Sequence, residues 1–321
     1  MKIGTIGTSM ITGEFLKGIQ MADGVECAAV HSREKKRGEL FAKKYGVRKV
    51  YTELEELYAD KTIDLIYIAS PNSLHYQQAK RALEHGKHVV CEKPFTVYSE
   101  ESEELIRMAK ERNLFLIEGI TTMYMPNYRV VKEQLPTIGK VKIILCTFCQ
   151  YSSRYDQFRD GENPNIFNPE FAGGALMDIN LYNIYFVVGL YGKPERVHYF
   201  PQKAENGIDT SGILILEYPE FLCQCTGAKD VWCENSVQLL GEKGYILVPA
   251  ESNRCDEVTV VTKSDRKTYN LHTMGHWCIE VQEIMKMIQN QDFEDCNRRL
   301  ETTLQVVETL EMARKSAGMC F

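Results

Sequence analysis

The sequence contains no uninterrupted apolar run approaching the ~18 residues that a membrane-crossing helix requires. Its opening, Met1-Lys2-Ile3-Gly4, runs directly into a strand pattern, and no secretory leader is read before it. A cytoplasmic location is therefore expected. There is no large excess of charge: the formal net charge is −6 and the pI about 5.8. That argues against a basic footprint for nucleic acid, and neither nucleic acid nor membrane is expected as a partner. The Lys/Arg-rich stretch from Arg33 to Lys44 is interspersed with Glu and reads as a solvated helix face. No internal repeat or low-complexity segment is present. The eleven cysteines are odd in number and scattered, which suits reduced thiols rather than a disulfide framework. Cys146 and Cys149 form a CxxC, and Cys223 and Cys225 a CxC. Both lie in strand-like runs, and no paired His/Cys set has metal spacing, so no metal is expected.

What the sequence does contain is ordinary globular material, 44% apolar and 26% charged, over 321 residues. That length suggests two domains. Short apolar runs at Lys2–Ile6, Val25–His31, Leu65–Ala69, His88–Cys91 and Leu114–Glu118 alternate with helical patterns at Gly13–Met21, Arg33–Tyr45, Glu53–Tyr58, Ser73–Glu84 and Ser99–Arg112. Such alternation predicts a doubly wound parallel sheet, an α/β Rossmann domain over residues 1–120. The rest is read as an α+β domain over 121–321, with a mostly antiparallel open sheet. Its strands are expected at Val141–Gln150, Gly212–Tyr218, Phe221–Thr226, Ser236–Leu240, Tyr245–Val248 and Glu257–Thr262. Helices are expected near Ala175–Leu190, Trp277–Gln289 and Arg298–Ser316.

The turn between strand one and helix one carries Gly7, Thr8, Ser9, Met10, Ile11 and Thr12. A dinucleotide fold needs small residues there so that a pyrophosphate can approach a helix N-terminus. The match to GxGxxG is partial: Gly7 serves as the first glycine, and Ser9 and Thr12 replace the second and third. Strand two ends in His31-Ser32-Arg33 rather than in a carboxylate. An acidic residue there would select the ribose hydroxyl of NAD, whereas Arg33 beside Ser32 suits the 2′-phosphate of NADP. NADP is therefore preferred, with NAD the alternative.

Three blocks carry a family resemblance. Strand three ends in Ala69-Ser70-Pro71-Asn72-Ser73-Leu74-His75, strand four in Cys91-Glu92-Lys93-Pro94, and downstream stands Gly173-Gly174-Ala175-Leu176-Met177-Asp178-Ile179-Asn180-Leu181-Tyr182. In this order they resemble the Gfo/Idh/MocA oxidoreductases, in the branch containing glucose–fructose oxidoreductase and dimeric dihydrodiol dehydrogenase. The resemblance implies that Ala69, Ser70, Pro71, Asn72 and His75 line the cofactor, and that Glu92 supports its ribose or nicotinamide side. His75 has a second reading, as a cap at a helix start near Ser73.

Lys93 at a strand's carboxyl end can stabilise a developing alkoxide, with Pro94 stiffening its support. Asp178 and Tyr182, four apart, share a helix face. Tyr182 is assigned the proton exchange, Lys93 its tuning and the polarisation of the oxygen, and Asp178 the orientation of the substrate hydroxyl. Two positions depart from the family pattern. Met123 stands where Arg is frequent. Asn180 stands where Gly is usual, and is read as tolerating a left-handed turn or as donating to substrate. The polar, aromatic segment from Tyr151 to Asn165 is read as a substrate loop carrying Arg154, Tyr155 and Asp156.

The expected function is NAD(P)-dependent hydride transfer between nicotinamide and a hydroxyl or carbonyl carbon of a sugar, polyol or related small substrate. A non-enzymatic cofactor-sensing regulator and an NAD-assisted glycosidase of the same fold remain open. Apolar alternation in Ile213–Glu217 and Phe221–Cys225 suggests an open sheet face that pairs with its copy in a homodimer.

Overall fold

The computed structural model describes residues 1–319. They form two compact units, Met1–Gly119 with Met274–Leu304, and Ile120–Thr273 with the described residues from Gln305 onward.

The first unit runs β1 (Lys2–Ile6), α1 (Met10–Ile19), β2 (Glu26–His31), α2 (Lys35–Tyr45), β3 (Lys49–Tyr51), α3 (Leu54–Ala59), β4 (Leu65–Ile68), α4 (His75–Glu84), β5 (His88–Glu92), α5 (Ser99–Arg112) and β6 (Leu116–Gly119). All six strands are parallel, in the order β3-β2-β1-β4-β5-β6. The order in which strands are added reverses between β1 and β4, so the crevice at their carboxyl ends is the switch point where such sheets bind ligands. β4 is buried on both faces, as a central parallel strand must be. Its Tyr67 stacks on Phe15 of α1 at 3.7 Å between ring centroids. Charge placement supports the helices: α5 carries Glu100 and Glu101 in its first turn and Lys110 and Arg112 in its last, each complementing the helix dipole.

The second unit contains α6 (Pro126–Gln134), β7 (Val141–Cys149), α7 (Tyr155–Arg159), α8 (Leu181–Tyr191), β8 (Arg196–Lys203), β9 (Asp209–Glu217), β10 (Leu222–Ala228), β11 (Ser236–Gly241), β12 (Gly244–Val248), β13 (Val258–Thr262) and β14 (Arg266–Tyr269). Its eight strands lie in the order β14-β13-β12-β11-β7-β10-β9-β8. β7 and β10 run parallel and every other neighbouring pair antiparallel. The segment Pro169–Tyr191 is long and apolar enough, by length and composition, to cross a membrane, and 83% of its most apolar window is buried inside the protein. It is a core element, and α8 is apolar all round because it is covered all round.

The last helices, α9 (His276–Gln289) and α10 (Phe293–Ser316), lie where the sequence expects helices. Their allegiance differs from a single cut at residue 120. α9 packs on α1 at Gly18, where an added Cβ would lie 2.7 Å from Val281. Phe293 stacks on Phe115 at 4.0 Å. These contacts recruit Met274–Leu304 into the first unit, a pairing that strand-helix alternation along the chain does not encode. β3 and β8 also escape the sequence reading. β3 has only three residues. β8 is an edge strand with Pro201 inside it and the outward Arg196 and His198 followed by an outward Phe200, which blurs its period.

Burial pushes the imidazoles of His31, His75 and His88 below their ordinary value. His88 has a geometric reason to stay neutral: its Nδ1 accepts the Phe115 N–H at 3.1 Å. A depressed folded value means that the stability is present above the ordinary histidine range and is lost as pH falls below ~6.5. Urea midpoints are expected to drop between pH 7.5 and 5.5, with a slope near 1.4 kcal/mol per pH unit for each such proton. His88→Gln should reduce that slope by about one proton, and an unaltered pH response in this variant would remove His88 from the set.

Candidate active site

The cofactor half is built at the carboxyl ends of β1, β2, β4 and β5. Gly7 leaves β1 with φ +109°, and an added Cβ would stand 2.5 Å from the Ala69 carbonyl oxygen. Only glycine meets both conditions. Ser9 then caps α1, its hydroxyl accepting from the Thr12 N–H at 3.4 Å and lying 3.2 Å from the Thr12 hydroxyl. Thr8, Ser9 and Ile11 are half-buried and Met10 is exposed. The turn therefore presents a helix N-terminus with no side chain larger than methionine over it, which fits a dinucleotide pyrophosphate. The close helix approach assigned to the third glycine of the fingerprint falls one residue later than expected. Thr12 is buried, and it is Gly13 whose Cβ would lie 2.2 Å from the Tyr45 hydroxyl.

At the tip of β2, His31 is buried with Nε2 3.1 Å from the Thr52 carbonyl oxygen, and the Ser32 hydroxyl donates to the Glu34 carbonyl at 2.9 Å. Arg33 is exposed. Ser32 shapes the turn, and the cation is what the turn presents.

After β4, Ala69, Ser70, Pro71 and Asn72 are all half-buried, and the Ser70 hydroxyl donates to Gln78 Oε1 at 2.7 Å. His75 is 1% exposed; Nδ1 lies 2.8 Å from the Pro94 carbonyl oxygen and Nε2 3.0 Å from that of Ser70. It thus joins the β4 turn to the Lys93–Pro94 turn, whose peptide is cis. Its ring nitrogens face protein backbone, so it positions the lining rather than forming it.

Glu92 accepts from the Tyr67 hydroxyl at 2.6 Å. Burial pushes its carboxyl up, while Tyr67 and the Lys93 ammonium oppose the rise. Beneath the same turn, Glu118 Oε1 accepts the Phe95 N–H at 3.1 Å. Burial, with the charges of Glu92 and Glu118, drives Glu280 of α9 well above the carboxylate range. Glu280 had no motif to reveal it.

The second unit carries the other residues singled out in the sequence. Gly173 and Gly174 permit two close approaches: a Cβ would lie 2.4 Å from the Ile166 carbonyl oxygen at the first, and 2.0 Å from Asp209 Oδ1 at the second, where φ is +98°. Asp209 is fully buried and accepts both the Leu176 N–H and the Tyr199 hydroxyl at 2.6 Å. Burial pushes its carboxyl up and those two donors oppose it. They seat a π-helical turn, Leu176–Asn180, at the head of α8. Such wide turns recur at functional sites.

Asp178 lies in this π-turn, and its carboxylate pairs with Lys229 at the end of β10. The Lys229 side chain is only 4% exposed, against 19% for Asp178. Tyr182, half-buried, follows in α8, its ring 5.9 Å from that of Phe148. Lys229 also stands over the Phe167 ring at 5.7 Å. Phe167 joins Phe158 and Tyr155 in an aromatic cluster. The expected substrate loop therefore borders Asp178, with the short helix α7 inside it. Arg154 is exposed, Tyr155 packs in the cluster, and Asp156 accepts from the Tyr151 hydroxyl at 2.7 Å. Tyr151 in turn stacks on Trp232, which is 78% exposed.

Asn180 requires correction. It is fully buried with φ −69°, so it makes no left-handed turn. Its amide donates to the Cys225 carbonyl at 3.2 Å and its Oδ1 accepts from Asn183 at 2.9 Å. It fastens the π-turn to β10 and is not a substrate ligand. Met123 fills space against Gly189 of α8, where a Cβ would meet its sulfur at 2.9 Å. Lys229 is the residue that sequence reading missed. It follows a strand with no motif around it, and only the sheet register carries it to Asp178.

Residues 1–120 match the family model described as the oxidoreductase family, NAD-binding Rossmann fold, of Gfo/Idh/MocA, and residues 131–247 match the Gfo/Idh/MocA C-terminal domain. The chain belongs to the Gfo/Idh/MocA oxidoreductase family. It is 34% identical to a scyllo-inositol 2-dehydrogenase (NADP(+)) of Bacillus subtilis over 100% of this chain and 98% of the relative. It is 27% identical to the human trans-1,2-dihydrobenzene-1,2-diol dehydrogenase over 100% and 98% of the two chains. In fold it superposes on a 3-ketoreductase from Actinomadura kijaniata, solved with NADP and TDP-benzene, with a TM-score of 0.85 and 20% identity over 98% and 97% of the chains. As a Gfo/Idh/MocA protein it is an NAD(P)-dependent oxidoreductase acting on CH–OH groups.

The Asp178–Lys229 pair is nearly dry, so removing one partner strands the other charge at a cost of about 3–5 kcal/mol. Lys229→Gln is expected to lower stability by that order in urea unfolding. Adding Asp178→Asn should recover most of the loss. A double variant no more stable than Lys229→Gln would show that the two charges are not coupled.

Proposed function

We propose that the protein is an NADP-preferring dehydrogenase of cyclic polyols or sugars that bear neighbouring hydroxyls. The observation that carries this reading is Asp178, held by Lys229 on the turn that leads into Tyr182. A carboxylate and a phenol on adjoining turns offer an acceptor for one hydroxyl and a proton-exchanging group for the next. The named activity of the Bacillus subtilis relative, on a cyclic polyol with NADP(+), agrees with it.

When bound, the nicotinamide supplies the hydride acceptor. Tyr182 takes the hydroxyl proton of the reacting carbon. Lys93 stabilises the negative charge that builds on that oxygen. Asp178 accepts from a neighbouring hydroxyl and fixes the face presented. Lys229 holds Asp178 in orientation, acting through it rather than on substrate. Arg154, Tyr155 and Asp156 form the loop that meets the rest of the ring, and Trp232 stacked on Tyr151 offers it a flat apolar wall. Arg33 forks onto the 2′-phosphate of NADP.

Initial rates with scyllo-inositol and a panel of sugars test the reading. NADP+ is expected to give a kcat/KM at least tenfold above NAD+, and Arg33→Ala to erase that preference, as the loss of about 1.5–3 kcal/mol from a charge-assisted contact implies. Tyr182→Phe should lower kcat by about 10²–10⁴ while leaving the cofactor Kd unchanged. Equal use of the two cofactors, or an Arg33→Ala enzyme with its preference intact, would sink the NADP assignment. Tight cofactor binding with no turnover on any polyol or sugar would sink the substrate class.

The same proposal includes a homodimer through the outer face of the eight-stranded sheet. Ile143, Ile213, Leu222 and Phe200, on β7, β9, β10 and β8, are 45%, 43%, 53% and 64% exposed. An apolar stripe of this kind across neighbouring strands is a common self-association surface. A cytoplasmic setting suits it, since the ten cysteines among the described residues are all free. Light scattering at micromolar concentration is expected to give twice the chain mass, and Ile213→Glu with Leu222→Lys to halve it. A wild-type monomer would refute the dimer.

A further inference from the structure

The sheet register of the second unit places three thiols together that lie far apart in sequence. β7 and β10 run parallel with Cys146 directly opposite Cys225. Cys223, two residues before Cys225, shares its face. The three sulfurs all lie within 4.8 Å of one another, and Cys223 Sγ is 3.5 Å from Cys225 Sγ. All three are buried on the inner face of the sheet, at 1% exposure or less. Their cross-strand neighbours are Leu214 and Leu216 on β9, and Val237, beside Cys146, on β11. The nearby phenols are committed elsewhere, Tyr128 donating to the Phe186 carbonyl and Tyr218 to the Gly192 carbonyl.

A three-coordinate metal with S–metal bonds of ~2.3 Å needs sulfurs about 4 Å apart, a spacing the cluster reaches without rearrangement of its strands. We propose that Cys146, Cys223 and Cys225 form a binding site for a soft d¹⁰ cation, three-coordinate Cu(I). Thiolate-only sites select such cations. Coordination number separates Cu(I) from Zn(II). Structural zinc takes four ligands, and among the described residues no fourth His, Cys or carboxylate joins the three sulfurs. On loading, each thiolate formed releases its proton to solvent. The ion would clamp β7 to β10 on the face opposite the proposed dimer stripe. This assignment is independent of the redox activity.

The test is a titration of the reduced, full-length protein with Cu(I) under anaerobic conditions, in competition with bathocuproine disulfonate. Cu(I) is added both to native protein and during refolding from urea. One tightly held equivalent per chain is expected, with a raised Tm and a first shell of three sulfurs by X-ray absorption. Cys225→Ala and Cys146→Ala, checked for fold by circular dichroism, should each weaken binding at least a hundredfold. Cys149→Ala with Cys233→Ser, outside the trio, should bind as the wild type does. The proposal fails if the wild type holds no Cu(I) by either route, or if a folded variant lacking all three thiols binds it equally well. It also fails if one equivalent of Zn(II) is bound while Cu(I) is refused. Should the alanine variants not fold, the wild-type sulfur count decides, and fewer than three sulfurs would overturn the site.

Discussion

The buried carboxylate of Asp209 accepts the Leu176 N–H and the Tyr199 hydroxyl, and the geometry of the substrate half depends on that acceptance. A buried carboxylate is tolerable only when donors satisfy it. Here both donors reach Oδ2, one from the start of the π-turn and the other from β8, so the contact fixes where the turn begins. Gly174 must be glycine because Asp209 occupies the space of its Cβ. Everything the turn carries, Asp178 first and Tyr182 after it, inherits its position from this contact. Asn180 locks the far side to β10. The motif is thus a device for holding two polar side chains on a stiff support.

His75 performs the matching task in the cofactor half. It spans from the Ser70 carbonyl to the Pro94 carbonyl, coupling the turn after β4 to the turn that bears Lys93. Below that turn Glu92, Glu118 and Glu280 come together, and burial, with the charges of Glu92 and Glu118 adding to it, pushes the Glu280 carboxyl well above the carboxylate range. The Lys93 ammonium beside Glu92 opposes the rise that burial imposes on that carboxyl.

Sequence legibility follows the range of the interaction that fixes each residue. Gly7 was legible because a turn after a strand has local requirements, and Ser9 because helix caps do. Lys93, Asp178 and Tyr182 stand out only through a family pattern, and the structure adds what surrounds them. Gly13 was misplaced by one residue because its constraint comes from Tyr45, on another helix. Asn180 was misread as a ligand because a polar residue inside a motif looks functional until its partners, the Cys225 carbonyl and Asn183, are known. Lys229 and Asp209 were invisible for the same reason. Each meets its partner across dozens of residues, through strand order.

Strand order also decides what a cysteine pattern means. Read along the chain, Cys146-x-x-Cys149 is the natural pair, yet successive strand residues face opposite sides of a sheet, and a three-residue separation puts its ends on different faces. The pairing that forms instead is Cys146 with Cys223 and Cys225, set by the β7–β10 register. Metal-ligand spacing rules describe turns and knuckles, where ligands lie close along the chain. They have no form for a site assembled laterally in a sheet. A sheet that mixes one parallel pair into an antiparallel set can therefore collect soft ligands on its covered face without any spacing signature. The same alternation leaves Ile143, Ile213 and Leu222 on the opposite face. One register thus determines both what the sheet encloses and what it offers to a second copy.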